Sequence, residues 1–428
     1  GWNFIGGVNG DVQYDNLEFT RVYKSLKDRF DGKSKDQITS NDKAEYARFL
    51  KMKEQYNKRM DEAKDNYNEY VLIQRFFEMS NTSVKEVLDG KAFTTENIKA
   101  LPAGDEQFEA MKGIAIAGIE EDLGDQLKEA IKHFRNSKNY SYNLNIDSRD
   151  IVGDDYDDLN NRFYGNNSYQ GPSADHGTHV AGIIAATRNN GIGANGVANN
   201  AKIMVLRAVP DGDERDKDVA NAIRYAVDNG AKVINMSFGK SYSPQKSYVD
   251  EAVKYAADKG VLLIHAAGNS SKNNDKSDNF PNPVNELTRE LCPTWIEVGA
   301  SNFVTGLDLP ADFTNYGAKS VDVFAPGVDI YSTTPDNGYE KFSGTSMASP
   351  VVAGLAALLW SYYPELSAID VKNIIVNSYA DYKKVKVVVP HNSEKAKKKK
   401  FKKLSRTGGV VNALNAFRMA AEYQKSAS

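Results

Sequence analysis

At 428 residues and 47.3 kDa, with 41% hydrophobic and 26% charged residues, the chain is long enough to bury one large core and a smaller companion unit. A net charge of -3 and a pI near 6.1 give no global attraction to nucleic acid or to an anionic membrane, and apolar runs such as residues 351–360 read as too short to span a bilayer. A single cysteine, Cys292, excludes an internal disulfide and any zinc site built on several cysteines.

The chain opens G-W-N-F-I-G-G, without methionine and without a charged-then-apolar targeting segment, which reads as a processed product or a fragment. From about residue 15 to 139 the sequence is dense in Lys, Glu and Asp, with apolar residues at helical spacing. Tyr46, Phe49, Leu50, Tyr56, Met60, Ala63, Tyr67 and Tyr70 form one stripe, so residues 42–79 are expected as a single helix of about 57 Å at 1.5 Å per residue. Ser83 and Glu86 have capping-box spacing and are expected to start another helix, and residues 105–134 give a further amphipathic stretch. These elements predict an all-helical arm of antiparallel helices.

Near residue 151 the periodicity changes. Short apolar runs at 202–209, 232–237, 261–267 and 295–300 alternate with helical patterns, one closed by Gly230 and the next by Gly260. Nearly continuous apolar strands separated by helices predict an α/β fold: a parallel sheet covered by helices on both faces, with functional groups at the carboxyl ends of its strands. Farther on, K-A-K-K-K-K-F-K-K (395–403) makes a lysine-rich stretch of about 391–404. It reads as a solvated surface loop or, more sharply, as a patch for acidic partners.

Three stretches carry candidate chemistry. D-H-G-T-H-V-A-G (175–182) places His176 and His179 three apart in a chain with only five histidines. No glutamate completes an H-E-x-x-H pattern, which argues against a metal pair. A-A-G-N (266–269) sets the amide of Asn269 at a strand end, where it either donates to an oxyanion or makes an ordinary turn. G-T-S-M-A-S-P (344–350) leads into a long apolar helix with Ser346 at its start, near free N–H groups and the positive end of the helix dipole. Ser346 alone is equally a helix cap, and Pro350 is expected within the first turn, where its missing N–H costs nothing. N-M-S-F-G (235–239) ends another strand with an edge that an extended peptide can join.

In this order, D-H-G-T-H-V-A-G, A-A-G-N and G-T-S-M-A-S-P resemble the signatures of the subtilisin-like serine proteases, the subtilases. G-V-A (196–198), F-T-N-Y-G (313–317), A-P-G (325–327) and G-G-V-V-N-A (408–413) add supporting matches. The resemblance implies peptide-bond hydrolysis through an acyl-enzyme. His176 is then the general base and acid, Ser346 the nucleophile and Asn269 the oxyanion side chain. Ser237, Phe238 and Gly239 are implied as the substrate-binding segment, and His179 as a packed neighbour.

The implied organisation is an N-terminal remnant of the protease core (1–14), a helical insertion (15–139) and the catalytic core (140–428). The implied partners are protein or peptide substrates, with no nucleic acid, no transmembrane segment and no identifiable partner for the arm. A secreted or cell-envelope location in a bacterium is also implied. No cofactor is needed for the chemistry. Residues 187–198 resemble the family's calcium loop, with Asn190 as candidate ligand and one extra residue in the spacing, so structural calcium stays open.

The family's orienting aspartate, in a D-[ST]-G setting, has no match here. Asp147 is the nearest imitation, but its lead-in alternates with polar residues and Arg149 stands where the glycine belongs. Asp154, Asp155, Asp157 and Asp158 read as solvated. G-W-N-F-I-G-G resembles the stretch that follows the aspartate strand in some bacterial subtilases with large insertions, which puts the acid upstream of Gly1. Without that acid the rate is expected to fall on the order of ten-thousandfold, a magnitude belonging to the family's own template. The alternative function is a catalytically impaired subtilase-like peptide binder or adaptor.

Overall fold

Along the strand Leu262–Ala266 successive side chains point to opposite faces, and the two sets feed two separate cores. Leu262 and Ile264 pack with Ile296, Val298, Val352 and Leu355, whereas Leu263 packs with Val219, Ile223, Val249 and Trp295. All are buried, which is why the strand reads as a continuous apolar run. The computed structural model that reveals this describes residues 1–391 and 397–427. It divides into two units, Gly1–Gln13 with Ser148–Ser428, and Tyr14–Asp147.

Besides the two-residue hairpin strands Gly6–Gly7 and Gly10–Asp11, the strands of the first unit, in chain order, are β1 (Trp2–Asn3), β2 (Leu206–Arg207), β3 (Val233–Met236), β4 (Leu262–Ala266), β5 (Trp295–Ser301), β6 (Val323–Pro326), β7 (Ile330–Thr334), β8 (Gly338–Phe342), β9 (Ala380–Asp381), β10 (Lys386–Val388), β11 (Lys398–Lys400) and β12 (Gly409–Val410). The central sheet runs β9-β12-β6-β5-β4-β3. Strands β3 to β6 and β12 are parallel, and β9 joins antiparallel. Of residues 202–209 only Leu206 and Arg207 pair as a strand, with Trp2 and Asn3. Phe4 and Ile5 then anchor the amino-terminal stretch against Val152, Tyr164 and Ala208.

The second unit holds α1 (Glu18–Phe30), α2 (Lys43–Leu88), α3 (Glu106–Glu120) and α4 (Leu123–Asn136), besides shorter turns. Helix α2 runs 46 residues, about 69 Å, rather than ending near residue 79. Ser83 and Glu86 lie inside it and start nothing. Ser80, Val84 and Leu88 continue the buried face at intervals of four, and Val84 and Leu88 pack with Ile98 and Met111. The helix stops where Asp89 turns left-handed at φ 48°. Leu50, expected in the buried stripe, is exposed. Residues 105–134 form two helices, because Asp122 also adopts a positive φ of 55°.

The core-unit helices are α5 (Asp175–Ala185), α6 (Asp216–Asp228), α7 (Lys246–Asp258), α8 (Thr345–Tyr362), α9 (Ala368–Asn377) and α10 (Ala413–Ala427). Among the described residues only α8 is long and apolar enough to cross a membrane. Its window is 61% buried inside the protein, as a core helix is. The lysine-rich stretch is not a loop throughout: Lys398–Lys400 is a strand, and Phe401 beyond it is fully buried. Residues 392–396 of that stretch lie outside the described residues.

Charge is also buried. Asp154, expected to be solvated, has a side chain only 1% exposed, bonded to Lys217 at 2.8 Å and paired with Arg149, which also binds Asp218 at 2.8 and 3.2 Å. On the face of the sheet that Leu263 and Trp295 share, the Glu297 carboxylate accepts from Trp295 Nε1 at 2.9 Å, and His265 Nδ1 lies 2.9 and 3.0 Å from its oxygens. Removing one member of such a group strands the others without water. Glu297→Ala is therefore expected to lower the unfolding free energy by about 3 kcal/mol, with Glu297→Gln costing less. Urea unfolding followed by circular dichroism measures both; equal losses would show that side-chain volume, not the acceptor, matters at this position.

Candidate active site

Strand β4 ends at Ala266, and the chain then turns through Gly268 to Asn269. Gly268 takes φ +101°, and a Cβ there would meet the Asn315 side-chain nitrogen at 2.6 Å, so both conformation and space call for glycine. Asn315 holds the turn from both sides: its N–H donates to the Gly268 carbonyl at 2.7 Å, and its Oδ1 accepts from the N–H groups of Ser270 and Lys272.

Asn269 is joined to the start of α8. Its Oδ1 accepts from the Thr345 N–H at 2.9 Å and from the Thr345 hydroxyl at 2.8 Å, while that hydroxyl accepts from the Gly268 N–H at 3.1 Å. With its oxygen so committed, the amide presents its NH₂ the other way. A Cβ built on Gly344 would lie 3.4 Å from Asn269 Nδ2 and 3.5 Å from the Ser346 nitrogen, so the two donor nitrogens are close neighbours. The Ser346 N–H has no acceptor among the described residues. Two neighbouring donors at the positive end of an 18-residue helix suit a developing oxyanion.

Pro350 lies in the sixth position of α8, beyond the first turn where it was expected. The helix carries it because Ser346, whose carbonyl would have accepted the missing N–H, is bonded elsewhere. The Ser237 hydroxyl donates to the Ser346 carbonyl at 2.9 Å and also meets the Ser349 hydroxyl at 2.9 Å. In return Ser346 Oγ donates to the Ser237 carbonyl at 3.1 Å. Ser346 is thus clasped at its hydroxyl and its carbonyl by the residue that leaves β3.

Residues 237–239 continue β3 without regular pairing until Lys240 bonds in both directions with Phe280. Ser237 is buried and Gly239 exposed. Phe238 is half-buried, its ring edge-on to His265 at 6.4 Å. His176 lies in the first turn of α5, which packs on α8. Its ring is exposed and makes no hydrogen bond among the described residues. His179, one turn on, is fully buried, stacked on Phe342 at 4.3 Å and with Nε2 3.1 Å from the Glu340 carbonyl. Gly182 lets α5 approach β7 this closely, since a Cβ would meet Thr333 Oγ1 at 2.2 Å.

Sequence reasoning named His176, Asn269, Ser346, Ser237, Phe238 and Gly239. The structure brings Asn269, Ser346 and Ser237 into one bonded group, with Phe238 and Gly239 adjoining and no bond from His176 to Ser346. It also adds Thr345, Ser349 and Asn315. F-T-N-Y-G carried a signal for Asn315; nothing in the sequence singled out Ser349 as the partner of Ser237. Asp147 ends the helical unit.

Residues 187–198 have the sequence of a candidate calcium loop. Arg188 directs its guanidinium at the carbonyls of Gly196 and Val197 at 3.4 and 3.5 Å, and Asn190 Oδ1 accepts from the Ile192 N–H. Oxygens already facing a cation or closing a turn do not fit a calcium ion, which needs six or more free oxygen ligands.

A parallel α/β sheet with a serine at a helix start, an amide at a strand end and a histidine on a neighbouring helix has the parts of a serine hydrolase core. The subtilase family model matches residues 77–409. The thermophilic serine proteinase of Bacillus sp. (strain AK1) is 45% identical over 219 residues, covering 50% of this chain and 47% of that protein. Subtilisin DY of Bacillus licheniformis is 39% identical over 215 residues, covering 49% and 72%. A crystal structure of a cold-adapted subtilisin-like serine proteinase is similar at a TM-score of 0.42 and 30% identity, covering 56% of this chain and 72% of that one. The chain belongs to the subtilase family. It spans about half the length of the thermophilic relative and 24% of the cell wall-associated protease of Bacillus subtilis (strain 168), to which it is 38% identical.

His176 opens to solvent on one side, yet the protein crowding its other sides, and secondarily the neighbouring His179, push its pKa below the ordinary imidazole value. A base works in its neutral form, so a lowered pKa keeps His176 competent to lower pH. The C2–H proton signal of His176, assigned by His176→Gln, is expected to titrate below pH about 6.5. A midpoint above that value would reveal a carboxylate close to the ring.

Proposed function

We propose that this chain is the core of a serine endopeptidase in which Ser346 is the nucleophile, His176 the general base and acid, and Asn269 with the Ser346 N–H the oxyanion site. The observation that carries the reading is the closeness of Asn269 Nδ2 and the Ser346 nitrogen beside Gly344. Ser346 Oγ, released from the Ser237 carbonyl, adds to the scissile carbonyl carbon while His176 takes its proton. The carbonyl oxygen becomes an oxyanion bound by the two N–H donors. Collapse breaks the C–N bond, His176 returns the proton to the leaving amine, and water repeats the sequence on the acyl-enzyme. Every bond made or broken is served by a side chain or a backbone N–H, so no step in this scheme calls on a cofactor.

Ser237, Phe238 and Gly239 are assigned to the substrate backbone and the adjoining apolar pocket, with apolar-leaning cleavage as the expected preference. The carboxylate that orients His176 is assigned to a segment outside these 428 residues. Two observations favour this over the acids at hand: Asp154 is held between Arg149 and Lys217, and Asp147 belongs to the helical unit. The reading carries with it a secreted or cell-envelope location, as expected for an extracellular bacterial protease, and treats residues 14–147 as an insertion between the aspartate and histidine motifs.

The full-length gene product is expected to take a fluorophosphonate probe at Ser346, with labelling abolished by Ser346→Ala and turnover nearly unchanged by Asp147→Ala. Mass spectrometry of the labelled peptide reads the first. No labelling would favour a peptide-binding scaffold, and a thousandfold loss in Asp147→Ala would return the orienting role to that residue.

Asn269 separates two roles. Asn269→Asp keeps the acceptor for Thr345 and loses the donor, so kcat is expected to fall about a hundred- to a thousandfold with little change in Tm. That magnitude belongs to subtilisin, a relative. Asn269→Ala is expected to lose activity and to lower Tm as well, since Thr345 is 1% exposed and loses its acceptor.

A further inference from the structure

The lysine-rich strands form a fixed platform. In the antiparallel pair β10/β11, Lys386 lies opposite Lys400, Val387 opposite Lys399 and Val388 opposite Lys398. Residues directly opposite, and residues two apart on one strand, share a face. Lys386, Lys398 and Lys400 therefore stand together on one side. The other side is anchored: Val387 and Phe401 are fully buried among Phe324, Val321 and Leu404, with the Phe324 and Phe401 rings 4.8 Å apart. The Phe401 N–H donates to the Val385 carbonyl, and the Val388 N–H to the Leu307 carbonyl.

Among the described residues none of Lys386, Lys398, Lys399 or Lys400 bonds to an acidic side chain, and all are exposed. Like charges set directly opposite destabilise a strand pair by roughly 0.2–1 kcal/mol. Guarding an open edge against aggregation needs lysine on the edge strand alone. It does not call for a second lysine facing it on β10. Nor does overall composition explain the cluster, because the chain carries a net charge of -3.

We propose that this face docks an acidic, extended stretch of polypeptide. Alternate residues of an extended strand stand about 6.6–6.8 Å apart, so carboxylates two residues apart match the spacing of Lys398 and Lys400. Among the described residues the two-stranded sheet also leaves the outer edge of β11 without a partner strand, where such a segment can add by main-chain hydrogen bonds. The partner's class rests on the protease reading, in which polypeptides are substrates; the face holds acidic segments of a substrate away from the bond being cut.

The test separates docking from cleavage. Full-length Ser346→Ala protein, which cuts nothing, is titrated into a fluorescein-labelled peptide alternating glutamate and threonine, and anisotropy is read at low and high salt. The glutamate peptide is expected to bind and its glutamine counterpart not to. Lys386→Gln/Lys398→Gln/Lys400→Gln should weaken binding at least tenfold, and high salt should weaken it too. A control changing Lys58, Lys64 and Lys128 to Gln makes the same shift in net charge on the helical unit and should leave affinity unchanged. Equal binding by both triple variants, or no binding of the glutamate peptide, overturns the proposal. So does binding of heparin or phosphatidylglycerol vesicles in place of the peptide. Loss of fluorophosphonate labelling with docking intact would sink the protease reading and leave the docking face standing.

Discussion

One side-chain oxygen fixes the geometry at the centre of this molecule. Asn269 Oδ1 takes both protons that Thr345 can offer, and Thr345 in turn takes the N–H of Gly268, so the end of β4 and the start of α8 are closed into a single bonded ring. The strand is buried on both faces and the helix is buried along most of its length, so neither can shift without opening a core. The ring turns that rigidity into a placement: the Asn269 amide nitrogen and the Ser346 nitrogen are held on the same side of Gly344.

The proline in α8 is part of the same construction. A helix interior tolerates proline only when the carbonyl four residues earlier finds another donor. Here that carbonyl belongs to Ser346 itself, and the Ser237 hydroxyl supplies the proton. The lost helical bond becomes a tie between the nucleophile and the end of β3. Ser346 and residues 237–239, the proposed nucleophile and substrate-binding segment, are thereby coupled through one serine, and replacing Pro350 with a residue bearing an N–H would set up competition for that carbonyl.

How much of this was legible in the sequence depends on the range of each interaction. The continuous apolar run of β4 and the period-3.6 burial in the helices are local, and Leu262, Ile264, Val219 and Val249 could be read off directly. Motif residues such as Asn269 and Ser346 could be placed on strand end and helix start for the same reason. What escaped rests on partners far along the chain. Ser237 and Ser349 are 112 positions apart, and Asp154 reads as an acidic loop residue until Lys217, 63 positions on, closes over it. Capping-box spacing at Ser83 misled because a cap needs a break in the buried face, and Val84 and Leu88 supply continuity instead. Lys398–Lys400 read as a loop because charge runs usually are. Phe401, the one aromatic residue in that run, was the signal, since it anchors the strand against Phe324.

Burial of charge under the site sharpens the electrostatics of the proposed chemistry. Phe238 rests its ring on His265, which faces the Glu297 carboxylate beneath the sheet surface. The Phe238 ring lies edge-on to the imidazole of that buried pair and gives the proposed substrate segment an apolar side chain. His176 meets the opposite condition, exposed and unbonded, so its basicity is open to whatever group comes to rest beside it. A carboxylate placed at its Nδ1 would both fix the ring and raise its pKa, the two changes a base needs before it can take the Ser346 proton near neutral pH. Desolvation alone lowers the pKa and leaves the ring free to turn, which favours the neutral form at the expense of orientation. In the proposed chemistry, what such a carboxylate adds beyond basicity is therefore the orientation of the imidazole.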